Sequence, residues 1–344
     1  MIFINKKPFL PFYLIKAFIF VLLALFIISF HQGCSLFKFK SSGPVIFGGS
    51  GGGGGNNSGT LDTSFGNQGI VTFDYNAQDD IVRTMAIYND KIYIAGETGL
   101  NAFLLKYNSN GDLDTSFGNQ GVVIFDNNGR FDYFRTMAVY NDYIYLAGET
   151  YYNTGPNIPI DALLIKYDLN GNLDNSFGNN NGFATFGDNV NAYRATTMVI
   201  YNNYIYLAGE ARIYGNNVSG DVLLLRCDLN GNLDTSFGNQ GIVIFNNSNY
   251  NNWDIARAIA IHNNAIYLAG NTIQGNNATD ILLLKYDLNG NLDTSFGNNG
   301  LVTFNNPNNP NGNSNDNGAS MAIYNNKIYI AGTSFQNNTD ILLL

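Results

Sequence analysis

The sequence predicts an all-β fold, a five-bladed β-propeller of four-stranded antiparallel blades, and three observations carry that reading. Leu-Asp-(Thr/Asn)-Ser-Phe-Gly begins at Leu61, Leu113, Leu173, Leu233 and Leu292, at intervals of 52, 60, 60 and 59 residues. Repeats of this length that hold several strands mark radial arrays rather than one irregular globule. Each unit has four short β-branched and aromatic runs separated by Asn, Asp and Gly, which is strand-and-turn chemistry. No sustained helical period interrupts them.

In chain order, residues 1–33 come first, with Lys6, Lys7 and Lys16, no acid, and an apolar stretch from Ala17 to Phe30. That pattern reads as an export signal, too short to span a bilayer comfortably. It ends in Gly33-Cys34, which resembles the lipobox of bacterial lipoproteins, although His31 and Gln32 depart from the usual residues there. Lipidation at Cys34 is expected, with an uncleaved anchor helix as the alternative. Residues 34–60 are rich in Gly and Ser and read as a flexible tether. Residues 61–344 form the propeller, placed outside the cytoplasm and held to the outer membrane or cell surface.

Within one unit, run A is Thr84–Tyr88, run B Lys91–Gly96, run C Ala102–Tyr107 and run D Gly121–Phe125. Runs A and B are joined by two residues, such as Asn89-Asp90 or Asn202-Asn203, which tolerate the left-handed backbone of a tight hairpin. Asn-Gly at Asn110, Asn170, Asn230 and Asn289 turns the chain between C and D. The domain opens with a D run, Ile70–Phe73, and its last unit has only A, B and C, ending at Leu344. Pairing of residues 70–73 beside residues 341–344 would close the ring and remove its open edges. A larger propeller, truncated at Leu344, is the rival.

Taken together, the Leu-Asp-x-Ser-Phe-Gly, Ile-Tyr-(Ile/Leu)-Ala-Gly and Asp-x-Leu-Leu-Leu-Lys-Tyr-Asp-x-Asn-Gly-x-Leu-Asp elements resemble the delta-60 repeat, a bacterial β-propeller repeat, over residues 61–344. The resemblance implies a propeller in exported or surface proteins and brings no catalytic residues with it.

Connections at one end of the blades are constant in length, while the B–C and D–A connections vary. From the Gly ending run B to the first apolar anchor of run C is 7, 15, 14, 12 and 10 residues. Variable loops on a constant scaffold are how binding surfaces arise. They hold Tyr133, Tyr151, Tyr152, Tyr214, Tyr250 and Trp253, rings that suit sugars or peptides and equally suit packing of loops onto the rim. Trp253 is the leading candidate.

Arg83, Arg135 and Arg257 precede run A, Glu97, Glu149 and Glu210 end run B, and Asp161, Asp221 and Asp280 begin run C. Such repetition points to a structural network of ion pairs and hydrogen bonds between blades. Catalysis would instead need acids unique to one blade, such as Asp79 or Asp132.

A formal net charge of −9, with no basic stripe, argues against nucleic acid. Cys227 takes a position that other units fill with Tyr107, Tyr167 and Tyr286, and reads as a buried apolar residue. Asp168-x-Asn170-Gly-Asn172 lacks the later Gly and Glu of a calcium loop and reads as a hairpin turn. His262 replaces the run-A Tyr. No nucleophile–base set, metal site or cofactor site is expected, and no catalytic residue.

The resulting expectation is a non-enzymatic, monomeric display module that binds a protein or glycan ligand through its variable loops and the membrane through its N-terminus. A carbohydrate-active hydrolase or lyase, or a structural envelope protein, is the alternative.

Overall fold

The computed structural model describes residues 61–152, 158–178, 182–214, 219–247, 253–273, 279–305, 315–335 and 339–344. Blade 1 comprises β1 (Asp80–Tyr88), β2 (Lys91–Thr98), β3 (Asn101–Asn108) and β4 (Val122–Phe125). Blade 2 comprises β5 (Phe131–Tyr140), β6 (Tyr143–Tyr151), β7 (Asp161–Asp168) and β8 (Phe183–Phe186). Blade 3 comprises β9 (Ala192–Tyr201), β10 (Tyr204–Ile213), β11 (Ser219–Asp228) and β12 (Ile242–Phe245). Blade 4 comprises β13 (Asp254–His262), β14 (Ala265–Ile273), β15 (Thr279–Asp287) and β16 (Leu301–Phe304). Blade 5 has β17 (Asn315–Tyr324), β18 (Lys327–Phe335) and β19 (Thr339–Leu343). Each sheet is antiparallel and follows chain order. The first strand of each blade packs against that of the next, the arrangement of a propeller.

Local chemistry explains the blade. Both turn residues between first and second strands are left-handed, as at Asn141 (φ 50°) and Asp142 (φ 60°), so the turn's twist matches that of the hairpin. Each first strand also carries a one-residue bulge, at Arg83, Arg135, Thr196, Arg257 and Ala319. The bulge presses the strand onto its neighbour. A Cβ at Gly148 would stand 1.8 Å from the Tyr133 carbonyl oxygen, which is why the Ile-Tyr-(Ile/Leu)-Ala-Gly element ends in glycine.

The core lies between blades. Tyr93, Ala95, Ala102, Leu104 and Phe117 of blade 1 meet Phe134, Met137, Ile144, Leu146 and Leu163 of blade 2. Equivalent layers join blades 2 and 3, 3 and 4, and 4 and 5. No blade buries both faces alone, so stacking stabilises the array.

Closure differs from the sequence expectation. The fifth sheet has three strands, and among the described residues no ladder joins 70–73 to 341–344. Val71 and Phe73 instead pack against Phe103, Leu105 and Tyr107 of blade 1. Gly66 N–H donates to the Asn110 carbonyl at 2.7 Å, as Gly118 N–H donates to Asn170 at 2.8 Å in the next junction. The opening segment is thus seated where the last strand of a preceding blade belongs.

Candidate functional site: the loop end of the blades

At the end that carries the variable loops, the bulge turns Arg83 and Arg135 toward the glutamates of their neighbouring second strands. Arg83 meets Glu97 at 2.5 Å, Arg135 lies 4.0 Å from Glu97 and 2.7 Å from Glu149, and Arg194 lies 2.8 Å from Glu149 and 3.0 Å from Glu210. Arg212 takes the other Glu210 oxygen at 2.7 Å. Arginine and glutamate therefore alternate across blades 1–3 in one continuous ladder. Arg194 reaches it without the bulge, because it stands directly opposite Glu210.

Three expected members stand outside the ion pairs. Arg212 and Arg194 already fill Glu210, and Arg257 is exposed, with no ion pair among the described residues. Asn271 holds the glutamate position in blade 4, donating to Asn317 Oδ1 at 2.8 Å and accepting from Gly318 N–H at 2.9 Å. Amides thus replace ions where blade 5 carries Ala319 at the bulge. Asp221 accepts from the Asn246 amide at 2.9 Å, and Asp280 has one buried oxygen without a partner. Asp161 pairs with Arg130 at 3.2 Å.

The aromatic candidates do not form one platform. Phe131 and Tyr151 stack with centroids 5.2 Å apart, and Tyr133 lies edge-on to Tyr151 at 6.0 Å. The Arg135 guanidinium sits 5.3 Å from the Tyr133 ring, and that of Arg130 sits 4.4 Å from Tyr152. Trp253 belongs to the junction of blades 3 and 4. Its ring covers Gly220, where a Cβ would be 2.9 Å away, and Arg212 stacks on it at 4.4 Å. Tyr214 donates to the Ile158 carbonyl at 3.2 Å. Tyr250 and Cys34 lie outside the described residues.

Asp132 is not unique to one blade. It pairs in register with Thr150, as Asp80 does with Thr98, Asp254 with Thr272 and Asp316 with Ser334. Asp132 is fully buried and accepts the Asn127 N–H at 2.7 Å. Burial pushes its carboxyl, and that of Asp254, up to about 6. Asp280 is raised to about 6 by burial and by the Asp316 carboxylate.

At the opposite end, sequence reasoning noted a constant spacing without its content. Lys166–Asp174, Arg226–Asp234 and Lys285–Asp293 are ion pairs at 2.9, 2.7 and 2.7 Å, with Lys106–Asp114 at 3.4 Å. Each aspartate also accepts the hydroxyl of the Ser two residues on, as Ser176 to Asp174 at 2.6 Å. The invariant eight-residue separation was the available signal. Asp168 is spent inside its turn, accepting from Asn170 and Asn172 N–H at 2.8 and 2.9 Å. The ring of His262 meets Asn326 at 2.7 Å, where Tyr140 meets Asn203 at 2.9 Å, so the replacement preserves the contact.

Comparison with known proteins adds three findings. A family model described as "Domain of unknown function (DUF5122) beta-propeller" matches residues 89–117 and 263–296. No curated protein matches. Among solved structures, a thermostable family-43 glycoside hydrolase aligns over 78% of this chain and 91% of its own, at 9% identity and TM-score 0.40. An endo-arabinanase of Bacillus licheniformis aligns over 76% and 91%, at 12% identity and TM-score 0.35. A β-fructofuranosidase of Bombyx mori aligns over 73% and 55%, at 11% identity and TM-score 0.36. The expectation of a non-enzymatic chain is corrected by these matches, because the aligned proteins are glycoside hydrolases. At such identities they supply no residue and no reaction. The motifs, the sheets and the matched segments agree that this chain is a β-propeller repeat protein.

Proposed function

We propose that the protein is carbohydrate-active and engages a polysaccharide at the loop end of blades 1–3. The observation that supports this is the junction of rings and charges at Arg135, which lies over Tyr133 and touches Glu149. Aromatic faces stack on sugar rings, and flanking charged groups take the hydroxyls. Glycosidic cleavage uses two carboxylates flanking the bond. Glu97 and Glu149, linked through Arg135, are the pair available there, and the reaction class is hydrolysis or elimination.

The test is to incubate the full chain with a panel of cell-wall polysaccharides and follow new reducing ends, alongside binding by affinity electrophoresis. Turnover lost in Glu149→Gln, with binding weakened in Tyr133→Ala, supports the reading. Binding without turnover favours a second reading, a display module for a protein or glycan ligand, which the unequal loops support. Neither binding nor turnover on any polysaccharide sinks the carbohydrate reading.

Export and lipid anchoring at Cys34 belong to the same proposal, and rest on the N-terminal sequence. Metabolic labelling with a radioactive fatty acid, abolished by Cys34→Ser, is the expected result. Labelling that persists in the variant rejects it.

A further inference from the structure

One arginine of the loop end receives no carboxylate from the chain that positions it. In blade 1 the bulge residue Arg83 is gripped by Glu97, its Nε lying 3.0 Å from both carboxylate oxygens and its Nη2 2.5 Å from Oε1. Ile81 faces Glu97 across the ladder as Ile255 faces Asn271, and the bulge follows two residues later in each strand. Arg257 is therefore the equivalent of Arg83, and Asn271 the equivalent of Glu97. Asn271 is neutral, buried and spent on Asn317 and Gly318. The other glutamate open to a bulge arginine is that of the preceding blade, since Arg135 lies 4.0 Å from Glu97. For Arg257 that residue is Glu210, whose two oxygens take Arg194 and Arg212.

The backbone that presents Arg257 is nonetheless held firmly. Thr196, the bulge residue of blade 3, donates its hydroxyl to the Ala256 carbonyl at 2.5 Å, and Ala256 and Ala258 on either side of the arginine are buried. The acids at this junction serve other donors. Asp254 is fully buried and accepts the Asn247 N–H at 3.4 Å, and Asp221 is buried and accepts the Asn246 amide at 2.9 Å. Arg83, Arg135, Arg194, Arg212 and Arg257 thus have only Glu97, Glu149 and Glu210 among them. Cations outnumber anions here, on a chain whose formal net charge is −9.

We propose that Arg257 binds the carboxylate of an acidic sugar, so that the polysaccharide engaged at this end is a polyuronate. The proposal rests on the carbohydrate reading of the loop end and extends it from blades 1–3 to blade 4. Blade 1 supplies the chemistry of the occupant, because the same bulge position there holds a carboxylate between two guanidinium nitrogens. That planar fork matches a carboxylate with two parallel, charge-assisted hydrogen bonds. A neutral sugar offers Arg257 only hydroxyl oxygens, whose hydrogen bonds exchange with those of water at little net gain. Charge on the sugar is what the position selects.

The experiment titrates the full chain by calorimetry at low salt with oligogalacturonate and with the same oligomer fully methyl-esterified, which keeps the sugar rings and removes their charge. Wild type is expected to bind the free acid at least tenfold more tightly than the ester. Arg257→Gln is expected to bring the acid down to the level of the ester. It should leave ester binding and the urea midpoint unchanged, because Arg257 is exposed and joins no ion pair among the described residues. Arg257→Lys keeps the charge and loses the fork, and is expected to retain part of the preference. Equal affinity of wild type for acid and ester, or a preference that survives Arg257→Gln, overturns the proposal and leaves the carbohydrate reading standing. Refusal of both oligomers also overturns it, whereas the carbohydrate reading falls only if the wider panel of polysaccharides is refused as well.

Discussion

The two ends of each blade hold aspartates that answer to opposite physics. At the turn end, the Ser116 hydroxyl and the Lys106 ammonium hold Asp114 down at about 2, and Lys285 and Ser295 hold Asp293 at about 2. At the loop end, burial lifts Asp132 and Asp254 to about 6. The first group is stabilised charged because donors converge on it, and the second is penalised for charge because burial strips away its water, which its few donors offset only in part. The turn end repeats the same bonds in blades 1–4. The loop end changes them from ions in blades 1–3 to amides between blades 4 and 5. Constraint sits at the turns, and chemical variation sits at the loops.

The largest expected effect breaks the ladder. Glu149 holds both Arg135 and Arg194 and its side chain is 5% exposed. Glu149→Ala breaks the centre of the ladder, leaving Arg135 only its 4.0 Å contact with Glu97 and Arg194 only Glu210, and loss of about 3 kcal/mol is expected in urea unfolding. A loss below about 1 kcal/mol would mean that water screens the ladder as it does surface pairs. At the turn end, Asp234→Ala removes the Arg226 pair at 2.7 Å and the Ser236 hydroxyl bond at 2.6 Å. About 2 kcal/mol is expected there, since charged hydrogen bonds are worth roughly twice neutral ones. If Asp234→Ala costs more than Glu149→Ala, the turns rather than the ladder are what hold neighbouring blades.

pH sharpens the contrast because the two groups have opposite sign. A carboxyl raised in the folded state is most favourable below its unfolded value near 4, and its contribution is lost as pH rises through about 6. A depressed carboxyl contributes above about 4, and that contribution is lost as pH falls toward about 2. Asp132→Asn keeps an acceptor for the Asn127 N–H and cannot ionise. The variant is expected to gain up to about 3 kcal/mol over wild type at pH 7 and well under about 1 kcal/mol at pH 4. An equal difference at both pH values would show that Asp132 titrates as an ordinary exposed acid.

Much of this was legible in the sequence, and what was missed has a common cause. Asn141-Asp142 announced a left-handed turn, Leu-Asp-x-Ser-Phe-Gly announced the period, and the Gly after Ala announced a close approach without saying to what. The ladder's arginines were visible as residues, but a bulge at Arg135 cannot be read from alternation, because an extra residue shifts the period locally. Arg257 was grouped with Arg83 by register, while its partner was lost to Arg212, a residue on another blade. Asp132 looked unique because its equivalents Asp80, Asp254 and Asp316 sit among loops of different length. Ring closure was inferred from strand counting alone.

The smallest expected effect isolates one turn-end contact between blades. The Tyr140 hydroxyl donates to Asn203 Oδ1 at 2.9 Å, in an exposed setting, and Tyr88–Asp142 and Tyr201–Asn264 repeat it at 2.8 and 3.0 Å. An exposed neutral hydrogen bond exchanges with water at little net gain, so Tyr140→Phe should cost no more than about 0.5 kcal/mol in urea unfolding. Its ring still packs beside the blade 2–3 layer, which keeps the apolar contribution intact. Replacing Tyr88, Tyr140 and Tyr201 together by Phe should then cost roughly the sum of the single changes, since the three contacts share no partner. A triple variant that loses several kilocalories more than that sum would show that the turn ends act as one coupled ring, and that their constancy reflects cooperation between blades rather than repetition of independent bonds.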